Sequence, residues 1–235
     1  MSIFNKQSVV GVIGAGAMGS GIAQVAAMAG HNVIVFDTNA AALDKSKANL
    51  DKVLNRLVEK GKIDSVETIT ERFTYATELS AFAGCSLIIE AIIENLDIKK
   101  KVFADVEKIV SESCVLATNT SSLSVTSIAA ACTKAERVLG LHFFNPAPLM
   151  ALVEVVPAVQ SDATLVQDCK ALMTEWKKVP VIAKDTPGFI VNRVARPFYG
   201  EAIRIMEEGI ADAATIDWAM TELGGFKMGP FTLTD

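Results

Sequence analysis

The sequence predicts an α/β protein: a mostly parallel sheet with helices on both faces, followed by a smaller all-α C-terminal domain that reads as incomplete. Three observations carry this. Short apolar, β-branched runs alternate with helix-patterned stretches, a glycine-rich turn joins the first run to the first helix, and Asp185-Thr186-Pro187-Gly188 ends the alternation. The boundary so implied places one domain at 1–185 and a second at 186–235.

The first strand candidate, 8–13, runs into Gly14, Gly16 and Gly19, which form G-x-G-x-x-G at the head of a helix over 18–29. A second strand, 32–36, closes on Asp37, 18 positions after Gly19. In a βαβ unit of this spacing the first glycine makes the tight turn and the second lets a pyrophosphate approach the backbone. The third lets helix and strand pack closely, and the helix N-terminus faces the phosphates. Gly14, Gly16, Ala17, Met18 and Gly19 are therefore the loop residues expected at a dinucleotide. A carboxylate in the place of Asp37 accepts from a ribose diol and repels a 2′-phosphate, which favours NAD over NADP.

Residues 7–36 contain no charged side chain and follow Lys6, so an export signal or membrane span has to be weighed. Six glycines, Ser20, Gln24, His31 and Asn32 interrupt the stretch, and a parallel strand buried on both faces accounts for the missing charge. The buried-strand reading is preferred, and with it a cytoplasmic protein.

A helix over 40–60 comes next. Lys45, Lys52, Arg56 and Lys60 fall on one of its faces, where they could meet a multiply phosphorylated ligand; interleaved Asp44, Asp51 and Glu59 favour a plain solvated face. Strands follow at 72–76, 86–90, 115–118 and 137–142, with helices at 97–111 and 124–131 between them. A further strand pair, 151–156 and 179–183, flanks an amphipathic helix over 162–176. The second domain reads as helices over 189–208 and 212–223, with apolar Phe189, Ile190, Val194, Ile203, Ile205 and Met206. Two helices and an apolar end make a poor closed core, so this domain is expected to be truncated or completed by another chain.

Bulk properties narrow the function. A net charge of −5 argues against a nucleic-acid partner. Beyond the glycine-rich start no apolar run reaches membrane-span length. Cys85, Cys114, Cys132 and Cys169 lack C-x-x-C spacing and read as buried free thiols of a reducing compartment, with no metal site. Only His31 and His142 can supply imidazole chemistry.

His142 ends a predicted strand, and Glu154 lies 12 residues on, inside the apolar run Leu152 to Val156. A carboxylate buried there needs a partner. The turn from Pro146 to Leu149 could return this strand beside His142, giving a base whose ring is oriented by Glu154. A structural histidine and a glutamate bonded to backbone fit residue type and spacing as well. Thr118 to Ser122 follows a strand, where ligands of open α/β sheets bind; taken singly, Ser121 reads first as the N-cap of the next helix. Asn192, near the start of the second domain, is a catalytic hydrogen-bond donor or an ordinary interdomain amide.

Taken together, GVIGAGAMGSGIAQ, AIIENLDIKK, TNTSSLSVTSIA, LHFFNPAPLMALVEVV and DTPGFIVNR closely resemble the L-3-hydroxyacyl-CoA dehydrogenase family, bacterial 3-hydroxybutyryl-CoA members above all. The resemblance spans essentially the whole chain. It implies a Rossmann-type NAD-binding domain and a helical dimerisation domain. It also implies oxidation of a short-chain (S)-3-hydroxyacyl-CoA to the 3-ketoacyl-CoA, or the reverse. His142 would be the general base, Glu154 its electrostatic partner, and Ser121 and Asn192 the hydrogen-bonding groups at the reacting oxygen or its surroundings. Glu94, Lys99, Asn119, Ser121 and Asn145 would lie on the cofactor side with Asp37. The helical hairpin around 40–60 would meet the CoA moiety, with Lys60 the best single candidate. Family members continue with more helices beyond the GGFKMGPF motif at 224–231, so the chain is expected to be a fragment or part of a longer tandem protein, homodimeric once completed. A dehydrogenase of free hydroxy acids or sugar acids, and a catalytically idle cofactor-binding relative, are the alternatives.

Overall fold

In the computed structural model, residues 3–234 are described, and they divide into two compact units, 3–186 and 187–234. The first unit is built on an eight-stranded sheet ordered β3-β2-β1-β4-β5-β6-β7-β8. Its strands are β1 (Val10–Ile13), β2 (Val33–Phe36), β3 (Phe73–Ala76), β4 (Leu87–Glu90), β5 (Val115–Thr118), β6 (Val138–Phe143), β7 (Leu152–Pro157) and β8 (Val179–Ile182). All pair in parallel except β6 with β7, which a turn of eight residues, 144–151, joins as an antiparallel pair. Every residue of β1, β4, β5 and β6 is buried, as strands covered on both faces must be. Each fully buried aliphatic side chain there contributes roughly 1.5–3 kcal/mol to folding.

Among the described residues six α-helices accompany the sheet, α1 (Ala17–Met28), α2 (Ala40–Glu59), α3 (Glu67–Thr70), α4 (Leu96–Glu107), α5 (Val125–Ala129) and α6 (Ala163–Glu175), beside two short 3-10 helices. Polar side chains start four of them. Asn39, Asn95, Ser124 and Asp162 each accept a backbone N–H of the first turn. Expected and observed elements differ where tertiary contacts decide. The stretch expected to be helical over 97–111 leaves the helix after Glu107, and the Arg137 guanidinium takes up the Ser111 and Cys114 carbonyls. The 40–60 stretch is one helix of 20 residues rather than a hairpin, closed by Lys60.

β1 lies third in the sheet, with β2 on one side and β4 on the other. This reversal opens a crevice at the carboxyl ends of β1 and β4, the usual ligand position in such sheets.

The second unit contains α7 (Val191–Glu207), α8 (Ala213–Trp218) continued by a π-helical turn (Ala219–Leu223), and α9 (Pro230–Thr234). The helix expected from 189 begins at Val191, because Gly188 and Phe189 take left-handed backbone angles, φ 78° and 46°. Asp217 accepts from the Phe231 and Thr232 N–H groups and the Thr232 hydroxyl, which fixes the start of α9, a helix the sequence pattern does not reveal. Phe189, Ala202 and Ile216 are buried, whereas Val194, Ile210, Trp218 and Leu223 are largely exposed. No helix among the described residues is long and apolar enough to cross a membrane.

Candidate active site

β1, β4, β5 and β6 run parallel, so their carboxyl ends share one edge of the sheet. The glycine turn opens the site there. Gly14 has φ +105°, and a Cβ on it would approach the Ala91 carbonyl oxygen to 2.6 Å; a Cβ on Gly19 would lie 1.9 Å from the Gly14 carbonyl oxygen. Gly16 is different. Nothing lies within 4 Å of the Cβ it lacks. It is also the N-cap of α1, with no side chain bonded to the first turn and no acidic residue there. An uncapped helix start beside open space is the environment a pyrophosphate needs, so these residues fit a dinucleotide. Asp37, at the end of β2, accepts from Ala15 N–H at 2.8 Å and from Asn39 N–H at 2.9 Å, which ties its carboxylate to the glycine turn.

A buried charge cluster lies past β4. Glu90, the last residue of that strand, is fully buried. Its Oε1 accepts from Lys99 Nζ at 2.6 Å and from Ile92 N–H at 2.7 Å, and its Oε2 accepts from the Thr118 hydroxyl at 2.7 Å. Lys99 also lies 3.4 Å from Glu94 Oε2. The other Glu94 oxygen, Oε1, accepts from the Thr120 hydroxyl at 2.5 Å and from Ser121 N–H at 2.9 Å; the Ser121 hydroxyl lies at 3.2 Å. Burial alone pushes the Glu94 carboxyl up, but these donors and the Lys99 charge outweigh it and hold the group below the usual range. Asn119, just past β5, links β4 with β6: its N–H donates to Glu90 O at 2.7 Å, and its Oδ1 accepts from Phe143 N–H at 2.8 Å.

His142 and Glu154 face each other across the antiparallel β6–β7 pair. The imidazole Nδ1 is 2.7 Å from Glu154 Oε2; the carboxylate is fully buried and the ring nearly so. The Phe144 ring packs on the imidazole with centroids 4.5 Å apart. His31 is elsewhere: its Nδ1 meets the Ser8 carbonyl, and its ring lies against Trp176.

Sequence and structure part in places. Ser121 does not cap the following helix; Ser124 does, its hydroxyl accepting from Ser127 N–H, while Ser121 turns to Glu94. Lys45, Lys52, Arg56 and Lys60 are exposed, opposite the buried Leu43, Ser46, Leu50 and Leu54. Asn145 is exposed just past β6, and Asn192, in the second unit, is partly buried in the first turn of α7. The sequence reading passes over Glu90 and the loop contacts of Asp185. A glutamate ending the apolar strand Leu87 to Ile89 is the signal that would have found the first, by the rule that singles out Glu154.

Residues 9–186 match the family described as 3-hydroxyacyl-CoA dehydrogenase, NAD binding domain, and residues 188–235 match the C-terminal domain of the same enzyme. The chain belongs to the 3-hydroxyacyl-CoA dehydrogenase family. Among family members it is similar to a 3-hydroxyadipyl-CoA dehydrogenase of Escherichia coli K12, 46% identical over 99% of this chain and 49% of the relative. It is also similar to a probable 3-hydroxybutyryl-CoA dehydrogenase of Deinococcus radiodurans, 42% identical over 96% of this chain and 81% of the relative. The crystal structure of (S)-3-hydroxybutyryl-CoA dehydrogenase from Ralstonia eutropha superposes with a TM-score of 0.93 at 38% identity, covering 97% of this chain and 81% of that one. The chain thus spans about half the length of the Escherichia coli relative and about four fifths of the other two. Membership in the 3-hydroxyacyl-CoA dehydrogenase family gives the glycine turn and Asp37 a place in an NAD-binding domain.

Proposed function

We propose that this chain carries the cofactor site and the proton-transfer pair of an NAD-dependent (S)-3-hydroxyacyl-CoA dehydrogenase, acting in either direction on a short acyl chain. The observation that carries the reading is the buried His142–Glu154 pair, set at the same sheet edge as the open glycine turn. Bound at Gly14 to Gly19 and Asp37, the nicotinamide dinucleotide supplies the hydride acceptor for C3.

The chain's own residues do the rest. Glu154 holds Nδ1 and compensates the charge the ring acquires, so Nε2 is the nitrogen that takes the C3 hydroxyl proton. Ser121, placed by Glu94 through both its N–H and its hydroxyl, is the proposed hydrogen-bond partner of the reacting oxygen. Asn192 is proposed for the surroundings of that oxygen, Asn119, Asn145, Glu94 and Lys99 for the nicotinamide side, and Lys60 for the CoA phosphates. One proton acceptor and one hydride acceptor complete the oxidation, so the proposal needs no metal. The protein is proposed to act as a homodimer in the cytoplasm.

NADH consumption with acetoacetyl-CoA, run beside free acetoacetate, tests the reading. Turnover of the thioester alone supports it. Turnover of the free acid alone transfers the protein to the hydroxy-acid dehydrogenases, and NADH binding without turnover of either leaves a cofactor-binding relative.

A further inference from the structure

Glu90 stands outside every role assigned above, yet its carboxylate accepts from three donors at the base of the site. Its side chain is fully buried, and Lys99, which it pairs with, is 1% exposed. A carboxylate in such surroundings persists only if its oxygens are satisfied, and both are: Oε1 by Lys99 and Ile92 N–H, Oε2 by the Thr118 hydroxyl. Two of those donors, Lys99 and the Thr118 hydroxyl, lead to the upper layer of the site. Lys99 reaches on to Glu94 at 3.4 Å. The Thr118 hydroxyl, having donated to Glu90, accepts from Thr120 N–H at 3.1 Å, and Thr120 in turn donates its own hydroxyl to Glu94. Two routes therefore leave Glu90 and meet at Glu94, the group that holds Ser121 and Ser122.

We infer that Glu90 is a positioning residue: from beneath the site it sets the Lys99 ammonium and the Thr118–Ser122 turn in the places from which they meet the nicotinamide end of the cofactor. The inference rests on the dehydrogenase reading above. The pair could instead have been a purely structural buried ion pair, whose loss lowers stability and nothing else. The closed circuit argues against that, since a pair serving stability alone has no need of a hydroxyl relay into a surface turn. Neutralising Glu90 leaves the Lys99 charge only Glu94 to meet, drawing that carboxylate away from its loop donors. Removing the Thr118 hydroxyl cuts the second route without touching any charge.

The test uses NADH binding, read by the fluorescence of the nucleotide, together with the KM of acetoacetyl-CoA and the Tm. Glu90→Gln keeps the shape of the side chain, and Thr118→Val is nearly isosteric, so the second stands in if the first fails to fold. Both are expected to weaken NADH binding about tenfold or more, the scale of a lost hydrogen bond to a charged group, with the KM of acetoacetyl-CoA within about twofold. Thr118→Ser, which keeps the hydroxyl, is expected to retain the parent NADH affinity. A lower Tm with unchanged NADH affinity in both variants overturns the positioning role and leaves a structural ion pair. Failure of the parent protein to bind NADH overturns the cofactor reading itself, and the two failures are distinguished by that first measurement.

Discussion

Glu154 sits directly opposite His142 on the neighbouring antiparallel strand, with its Oε2 2.7 Å from the imidazole Nδ1 and no exposure of its own. Directly opposed residues place their side chains on one face of the sheet, so the strand register, not a flexible loop, sets this contact. In the proposed reaction the carboxylate fixes the ring and balances the proton that the ring takes up.

Glu154→Gln keeps the shape and removes the charge. It is expected to lower kcat about 10²-fold or more, because His142 then loses the partner that orients it and balances its charge as general base, while NADH affinity stays within about twofold. Steady-state kinetics with acetoacetyl-CoA beside NADH fluorescence titration would show it; an unchanged kcat would remove Glu154 from the mechanism.

Asp37 presents a separate case, because its carboxylate both braces the Ala15 and Asn39 N–H groups and faces the crevice end of β2. Asp37→Ala removes the charge that disfavours a 2′-phosphate and the acceptor for a ribose diol. The expected outcome is a ratio of kcat/KM for NADH over NADPH that falls about 10-fold or more, a shift worth ~1.4 kcal/mol. A ratio unmoved by the substitution would show that another residue chooses the cofactor.

The backbone logic of the fold was legible because it depends on residue types that act alone. Gly14 and Gly19 are required by the close approaches of their own backbones, and the apolar runs of β1, β4 and β5 can only be buried on both faces. Glu154 was legible since a carboxylate inside an apolar strand demands a partner, and the short turn after Asn145 brings His142 within reach. Ser121 misled, because serine after a strand signals a cap whatever lies nearby, and the Glu94 carboxylate that claims it comes from another loop. The start of α9 was invisible for a similar reason: its cap, Asp217, is 14 residues from the Phe231 N–H it accepts.

Acid should reveal the carboxylates that tie loops together. Burial alone pushes Asp185 up, but the Thr126 hydroxyl and N–H, the Val125 N–H and the Ser124 hydroxyl outweigh it and hold the carboxyl below the usual aspartate range. Glu94 shifts in the same direction. In the unfolded chain these groups return to ordinary values near ~4, so they stabilise the fold above about pH 4, and that stability is lost as pH falls through their depressed folded values. Asp185→Asn is expected to lower Tm at neutral pH by roughly 2–8 °C, from a loss of about 1–2 kcal/mol. It should also flatten the fall of Tm below about pH 4. Acid limbs of equal steepness in parent and variant would show that Asp185 contributes nothing to the pH dependence.

The glycine turn separates binding from folding within one motif. Gly16 has ordinary backbone angles, φ −69° and ψ −175°, and nothing lies within 4 Å of a Cβ placed on it. Gly16→Ala should therefore lower Tm by only about 1–4 °C, since the methyl group meets nothing and alanine at an N-cap costs roughly 0.5–1 kcal/mol relative to glycine. What the methyl group fills is the space above the start of α1, so NADH affinity should fall about 10-fold or more. Gly19→Ala reverses the pattern. Its Cβ would lie 1.9 Å from the Gly14 carbonyl oxygen, a backbone atom that can move only if β1 and α1 separate. That variant is expected to lose about 2 kcal/mol or more of stability, the scale of a forced overpacking, and to bind NADH poorly through the displaced turn. Thermal melts and NADH titrations of the two variants side by side decide the matter. A Gly16→Ala protein that binds NADH like its parent would mean that the pyrophosphate does not approach the chain at this residue, and the dinucleotide would have to be placed elsewhere along the crevice.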